Sequence, residues 1–317
     1  MSALPATSVI PAARKPTIGL VLGSGSARGW AHIGVIRALA EAGIVPDIVC
    51  GCSIGAFVGA VYADGDIEKL ESWVSALTWK DVVSLLDMSL TSGLIKGEKL
   101  IQFFERHFVN RDFHDLGLPF AVVATDLATG RERWLREGNV AQAVRASIAI
   151  PGLFTPVAYE NGYLVDGGLV NPIPVSLCRA LGADVVIAVD LCADVVGSAL
   201  KQPVIEEESE AGWTRRILAR FGKTPAEGET ARLPSLVSVV ATGIHIMQVR
   251  IARSRLAGEP ADVLIAPRLA RIGPLDYHRG VEAIAEGRAA VERMRHVIEA
   301  MPGLKNGNGS GNGNGAA

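Results

Sequence analysis

Three stretches of the chain set a reactive side chain, or a run of backbone amides, among glycines. In "IVCGCSIGAFVGA", Ile48 to Ala60, an apolar run ends in a Gly-x-Ser-x-Gly pattern with Ser53 at its centre. A serine on a sharp strand-to-helix turn leaves no room for side chains on its flanks, so Gly51 and Gly55 permit the turn and the packing of the next helix. Ser53 would then stand exposed at a sheet edge, with a helix N-terminus favouring developing negative charge, as suits a nucleophile attacking an acyl carbonyl. A helix N-cap serine with packing glycines fits the same pattern. In "LGSGSARGWAHIG", Leu22 to Gly34, the glycines Gly23, Gly25 and Gly29 miss the dinucleotide-binding spacing, whose third glycine falls where Arg28 stands. The alternatives are a nest of amides around Gly25, Ser26 and Ala27 that holds an anion, and a tight strand-helix connection. In "GYLVDGGLVNPIP" an apolar strand delivers Asp166 into Gly167 and Gly168, and prolines follow. That is either a carboxylate aimed by a turn or a plain Asp-Gly turn.

A nucleophilic serine needs a base. A Ser-Asp-His order would call on His278 or His296, both in or near charged helical patterns where a solvated histidine is the commoner finding. Asp126 and Asp190 also end strand-like runs, but without the paired glycines that flank Asp166. Arg28 adds positive field to the loop or is a solvated first-turn residue. Trp73, Trp79, Phe103 and Phe104 wall an acyl pocket or pack a core. Cys50, Cys52, Cys178 and Cys192 lie in apolar segments without zinc-site spacing and read as reduced core residues. Neither a metal nor a cofactor is expected.

The elements that must position these residues alternate between strand and helix. "TIGLVLG" and "IVPDIVCG" read as buried strands, each followed by a helical pattern, Gly29 to Ala42 and Ile54 to Ala63. "PFAVVATDL", "RERWLRE", "GYLVDGG", "ADVVIAVDL" and "ADVLIAP" follow, with helical stretches between several of them. This order predicts an α/β fold, a three-layer sandwich around a largely parallel sheet. With 317 residues, 49% of them apolar, the chain can build one large core or two modest ones. A net charge of -2 supplies no general field for nucleic acid, so no nucleic-acid partner is expected. The uncharged run Leu233 to Val249 is short of the roughly 20 residues a bilayer needs. Its Ser235, Ser238, Thr242 and His245 form one stripe of an amphipathic helix packed on a domain.

The organisation expected is a flexible N-terminus (1–16), a catalytic region (17–181), a C-terminal α/β region completing the fold (182–300) and a disordered Gly/Asn tail (301–317). Residues 201–232 are a mobile insertion on their Glu, Arg, Lys and Gly content. Within it, "WTRRILARFGK" (213–223) spaces Trp213, Ile217 and Phe221 four apart among Arg215, Arg216, Arg220 and Lys223. The pattern fits a helix covering the domain or a basic helix lying in an anionic membrane surface. The N-terminus has its basic pair after its mildly apolar part, the reverse of a secretory signal, so a cytoplasmic location is expected, with peripheral contact at the inner membrane face if 213–223 is such a helix.

The three glycine-set sites, in this order, resemble the patatin-like phospholipase family, over roughly Thr17 to Leu181. "ASIAIPGLFTPV", "TDLATG" and "DGGLVNPIPV" look like further family segments, and Gly182 through Glu299 is similar to the bacterial members related to neuropathy target esterase. The resemblance implies a lipid acyl hydrolase acting on phospholipid, lysophospholipid or another carboxyl ester, with a Ser53-Asp166 dyad and an oxyanion hole at Gly25, Ser26, Ala27 and Arg28. Many members carry three consecutive glycines where this chain has Ser24-Gly25-Ser26. A Ser-His-Asp esterase on an α/β-hydrolase sheet and a non-catalytic regulatory protein on the same fold are the alternatives.

Overall fold

The computed structural model describes residues 14–85, 95–194 and 236–301. The expected insertion at 201–232, the helix at 213–223 and nearly all of both termini lie outside the described residues.

Among the described residues eight strands form one sheet: β1 (Ile18–Leu22), β2 (Ile48–Cys52), β3 (Phe120–Asp126), β4 (Glu132–Leu135), β5 (Val157–Tyr159), β6 (Gly162–Asp166), β7 (Val185–Val189) and β8 (Val263–Ile265). Their order is β5-β6-β3-β2-β1-β7-β8, with β4 also paired to β3. From β3 through β2, β1 and β7 to β8 every pairing is parallel, whereas β4, β5 and β6 pair antiparallel. The parallel strands read as unbroken apolar runs because both faces are covered: all five residues of β1 and of β2 are buried.

The principal helices are α1 (Ala31–Glu41), α2 (Ile54–Asp64), α3 (Ile67–Ala76), α4 (Trp79–Ser84), α5 (Glu98–His107), α6 (Val140–Ser147), α7 (Val175–Ala180), α8 (Leu236–Gly258) and α9 (Gly280–Arg293). Side chains alternate across the sheet. Leu20, Leu22 and Val49 share a core with Ile33 of α1, Val58 of α2 and Ile284 of α9. Val21, Cys50 and Val123 share the other with Leu177 and Cys178 of α7 and Ala252 of α8. The result is the mixed α/β fold with a mostly parallel central sheet between helical layers that the sequence predicts. All four cysteines are free and buried.

Helices α1 and α9 touch backbone to backbone. A Cβ added at Gly34 would stand 1.9 Å from the Ile284 carbonyl oxygen, and one at Gly287 would stand 2.0 Å from that of Ala31. The run from Leu233 contributes the first half of α8, and among the described residues no helix is long and apolar enough to cross a membrane. Strand β5, three residues long and partly exposed, has no counterpart in the sequence reading.

Candidate active site

Strand β2 runs directly into Ser53, whose φ of 55° and ψ of -122° are far from helix or strand values, and α2 starts at the next residue. The flanking glycines are required by contact. A Cβ at Gly51 would meet the Gly55 carbonyl oxygen at 2.5 Å, and one at Gly55 would meet that of Leu22 at 2.0 Å. Helix α2 is buried on nearly every side, as its almost uniformly apolar sequence demands, so Ser53 sits at the N-terminus of a helix fixed in the core.

Asp166 reaches Ser53 through strand register. Val123 pairs with Cys52 of β2 and with Trp134 of β4, so those strands lie on opposite edges of β3. Ala124 pairs with Arg133 of β4 and with Asp166 of β6, which puts β6 on the same edge as β2. The two strands therefore meet end to end against adjacent β3 residues, and Ser53 and Asp166 face each other across the join. The Ser53 hydroxyl donates to Asp166 Oδ2 at 2.6 Å. The other carboxylate oxygen accepts the Gly168 amide at 2.7 Å, and the Asp166 amide donates to the Ala149 carbonyl at 3.0 Å. The Thr125 hydroxyl donates to the Asp166 carbonyl at 2.8 Å. Burial raises the Asp166 carboxyl from 3.8 to about 7 against the opposing pull of the bonds from Ser53 and Gly168.

Ser147, at the end of α6, braces the elbow from behind. Its hydroxyl accepts the Ser53 amide at 2.8 Å and donates to the Val123 carbonyl at 2.7 Å. Nothing local in the sequence singles out Ser147, although it lies in the "ASIAIPGLFTPV" segment.

The glycine-rich loop links β1 to a 3-10 turn, Ser26–Trp30, that leads into α1. Gly29 packs on the first residue of α2, since a Cβ there would stand 2.1 Å from Ile54 Cγ1. Ser26 adopts a left-handed φ of 53°. Of the three expected amide donors, Ala27 is engaged with the Pro274 carbonyl at 3.2 Å. The amides of Gly25 and Ser26 have no backbone acceptor among the described residues. The Arg28 side chain is buried, its Nε donating to the Ile272 carbonyl at 2.8 Å and its Nη1 lying 3.4 Å from His245 Nε2. Burial and that arginine lower His245 to about 4, so it stays neutral. His32, lowered to about 4 by burial, lies with Nε2 2.8 Å from the Gly23 carbonyl, an acceptor that makes Nε2 the protonated nitrogen.

One expectation needs correction. Ser53 is not exposed: it is 3% accessible and Asp166 0%, because the C-terminal third closes over the sheet edge. Gln248 of α8 crowds Gly168, where a Cβ would lie 2.3 Å from Gln248 Nε2, and residues 272–277 run along the glycine loop. On α8, His245 turns inward to Arg28 while Ile246 and Met247 face outward, about half exposed.

The remaining candidates fall elsewhere. His278 is exposed with its ring 5.7 Å from that of Trp79, and exposed His296 lies in the short helix Arg295–Ala300. Among the described residues neither hydrogen-bonds Ser53 or Asp166. Asp126 accepts from the amides of Ala128 and Thr129 in its own turn, and Asp190 accepts from that of Cys192. Trp73, Phe103 and Phe104 join Trp30, Phe57 and Phe108 in an aromatic cluster beneath α2, whereas Trp79 is partly exposed on α4.

The sequence model of the patatin-like phospholipase family matches residues 20–179. An "Uncharacterized NTE family protein" of Mycobacterium tuberculosis (strain H37Rv) is 33% identical over 347 aligned residues, covering 93% of this chain and 96% of that protein. The chain belongs to the patatin-like phospholipase family. It is also similar to the human "Patatin-like phospholipase domain-containing protein 6", 36% identical over 183 residues, and to "Lysophospholipase NTE1" of Coccidioides immitis, 39% identical over 184. Those alignments cover 55% and 56% of this chain but 13% and 12% of the relatives, which are far longer. The patatin-like match spans the glycine loop, Ser53, Ser147 and Asp166, and stops short of β7, β8, α8, α9 and the 272–277 segment. Membership supports a lipid-hydrolase role.

Proposed function

We propose that the chain is a serine hydrolase of lipid acyl esters, using Ser53 as nucleophile and Asp166 as its base. The observation that carries this reading is the 2.6 Å hydrogen bond from the Ser53 hydroxyl to a buried carboxylate, at an elbow whose serine has a left-handed φ. As Ser53 Oγ attacks the ester carbonyl, its proton passes to Asp166, and the carbonyl oxygen becomes an oxyanion held by the amides of Gly25 and Ser26. Collapse of this intermediate breaks the C–O bond, with Asp166 returning the proton to the leaving alkoxide. Water, deprotonated by Asp166, then releases the acyl group and regenerates Ser53. The Asp166 carboxyl near 7 suits both halves, since a base poised at ambient pH takes and returns a proton at similar cost.

The proposed substrate class is phospholipid, lysophospholipid or a simpler carboxyl ester, on the strength of the family and of a relative named as a lysophospholipase. The basic pattern at 213–223 is the segment proposed to meet an anionic lipid surface on the cytoplasmic side of a membrane.

A fluorophosphonate probe reacts with activated serines and tests the assignment directly. Labelling should fall on Ser53 alone and vanish in Ser53→Ala, and Asp166→Asn should fold yet lose nearly all turnover of a chromogenic ester. Labelling that persists in Ser53→Ala would falsify the nucleophile, and a His278→Ala variant as inactive as Asp166→Asn would favour a triad.

A further inference from the structure

Strand β2 reaches its last rung at Ser53. The Val49 amide donates to the Pro119 carbonyl at 2.9 Å, and at the two-residue repeat of a strand ladder the Ser53 amide comes opposite the Val123 carbonyl. The Ser147 hydroxyl is bonded to both ends of this rung: it accepts from the Ser53 amide at 2.8 Å and donates to the Val123 carbonyl at 2.7 Å. With its one proton given and one bond accepted, the hydroxyl has its direction fixed from both sides, and the side chain is wholly buried. The same carbonyl abuts the turn that carries the base, since a Cβ at Gly167 would stand 2.2 Å from the Val123 oxygen.

Two residues further on, the chain bonds the other half of the pair. The Ala149 carbonyl accepts the Asp166 amide at 3.0 Å, so the end of α6 sends one bond to Ser53 and the next two residues bring one to Asp166, across the join between β2 and β6. Helix α6 is itself held firmly: every residue but Gln142 is buried, and at its start the Asn139 side chain accepts the Gln142 amide at 3.0 Å. Ser53 needs such a support, because a residue with a Cβ keeps a left-handed φ only where its surroundings impose it.

We propose that Ser147 is a positioning residue for the nucleophile: its hydroxyl, set into the last rung between β2 and β3, fixes the Ser53 backbone so that Oγ points at Asp166. This rests on the dyad reading above. Ser147 acts through the Ser53 amide rather than on the reacting hydroxyl. By engaging that amide it also leaves the oxyanion to the amides of Gly25 and Ser26.

The test measures the second-order rate constant and the final extent of fluorophosphonate labelling at Ser53, together with kcat and KM for a soluble short-chain ester, in the full-length protein. Ser147→Ala should slow labelling and lower kcat about 10- to 100-fold, as expected of a misplaced reacting group, with KM nearly unchanged and labelling still running to completion. Ser147→Cys keeps the bulk of the side chain but hydrogen-bonds only weakly, so it should be slowed as well, and it serves if Ser147→Ala does not fold. A brace that matters for stability alone would lower the melting temperature and the extent of labelling while the folded molecules react at the parent's rate, and that outcome overturns the proposal. A loss confined to KM overturns it too. So does a Ser147→Cys enzyme as fast as the parent, which would trace the alanine effect to an empty space and not to the hydroxyl. Absence of Ser53 labelling in the parent itself would instead fail the dyad reading.

Discussion

Asp166 shows how environment turns an ordinary carboxylate into a candidate base. Fully buried, with one oxygen facing Ser53 and the other the Gly168 amide, it sits near 7 rather than 3.8. If it must be ionised to accept the Ser53 proton, acylation should rise with pH in proportion to the ionised fraction and reach half its plateau near pH 7. A plateau already reached at pH 5 would exclude it. The shift also carries a stability consequence of definite sign. Between the unfolded value near 4 and the folded value near 7 the native state holds the extra proton, so folding stability falls as pH rises through that window. Asp166→Asn lacks that ionisation, so its melting temperature relative to the parent should climb from pH 4 to pH 7 and then level off. A difference that is flat from pH 4 to pH 8 would show the carboxyl is not perturbed. Ser53 and Asp166 were legible as candidates because glycines mark them locally. Ser147 was not, since it acts through contacts made far along the chain, with Ser53 and Val123.

Among elements, the strands were legible because a strand buried on both faces can only be apolar throughout. Strand β5 escaped notice for the converse reason: three partly exposed residues carry no periodic signal. The inward turn of His245 was also hidden, because a stripe of polar residues indicates a face without saying whether it meets water or a buried arginine. The crossing of α1 and α9 offers a test in which two effects have opposite signs. Replacing a helix-interior glycine by alanine ordinarily stabilises by about 0.5–1 kcal/mol. At Gly287 the new methyl would stand 2.0 Å from the Ala31 carbonyl oxygen, and backbone cannot swing aside as a side chain would. Overpacking of this kind typically costs about 1–3 kcal/mol, so Gly287→Ala should be less stable than the parent by urea unfolding. A rise in the urea midpoint would mean the two helices are further apart than described.

For the whole molecule, Ser53 and Asp166 are both buried, and a lipid hydrolase of the proposed kind must also find a lipid surface. The proposed contact at 213–223 carries Arg215, Arg216, Arg220 and Lys223, with Glu206, Glu207, Glu208 and Glu210 nearby in sequence. Each basic residue at an anionic surface contributes about 1 kcal/mol before salt screens it. Sedimentation with anionic vesicles should therefore be appreciable at low salt and weaken as salt rises. Reversing charge at Arg215, Arg216 and Arg220 should cut vesicle binding and long-chain lipid hydrolysis while sparing a soluble ester. Vesicle binding equal to the parent's would remove this segment as the anchor. The register of β3 has a consequence in time as well as in space. Ser53 and Asp166 lie 113 positions apart in the chain yet meet because Val123 and Ala124 are neighbours, so no local stretch of newly made polypeptide contains both. Long-range closure of this kind is the slow part of folding. During refolding, reactivity at Ser53 should thus lag behind helix formation and serve as a clock for the moment the sheet closes.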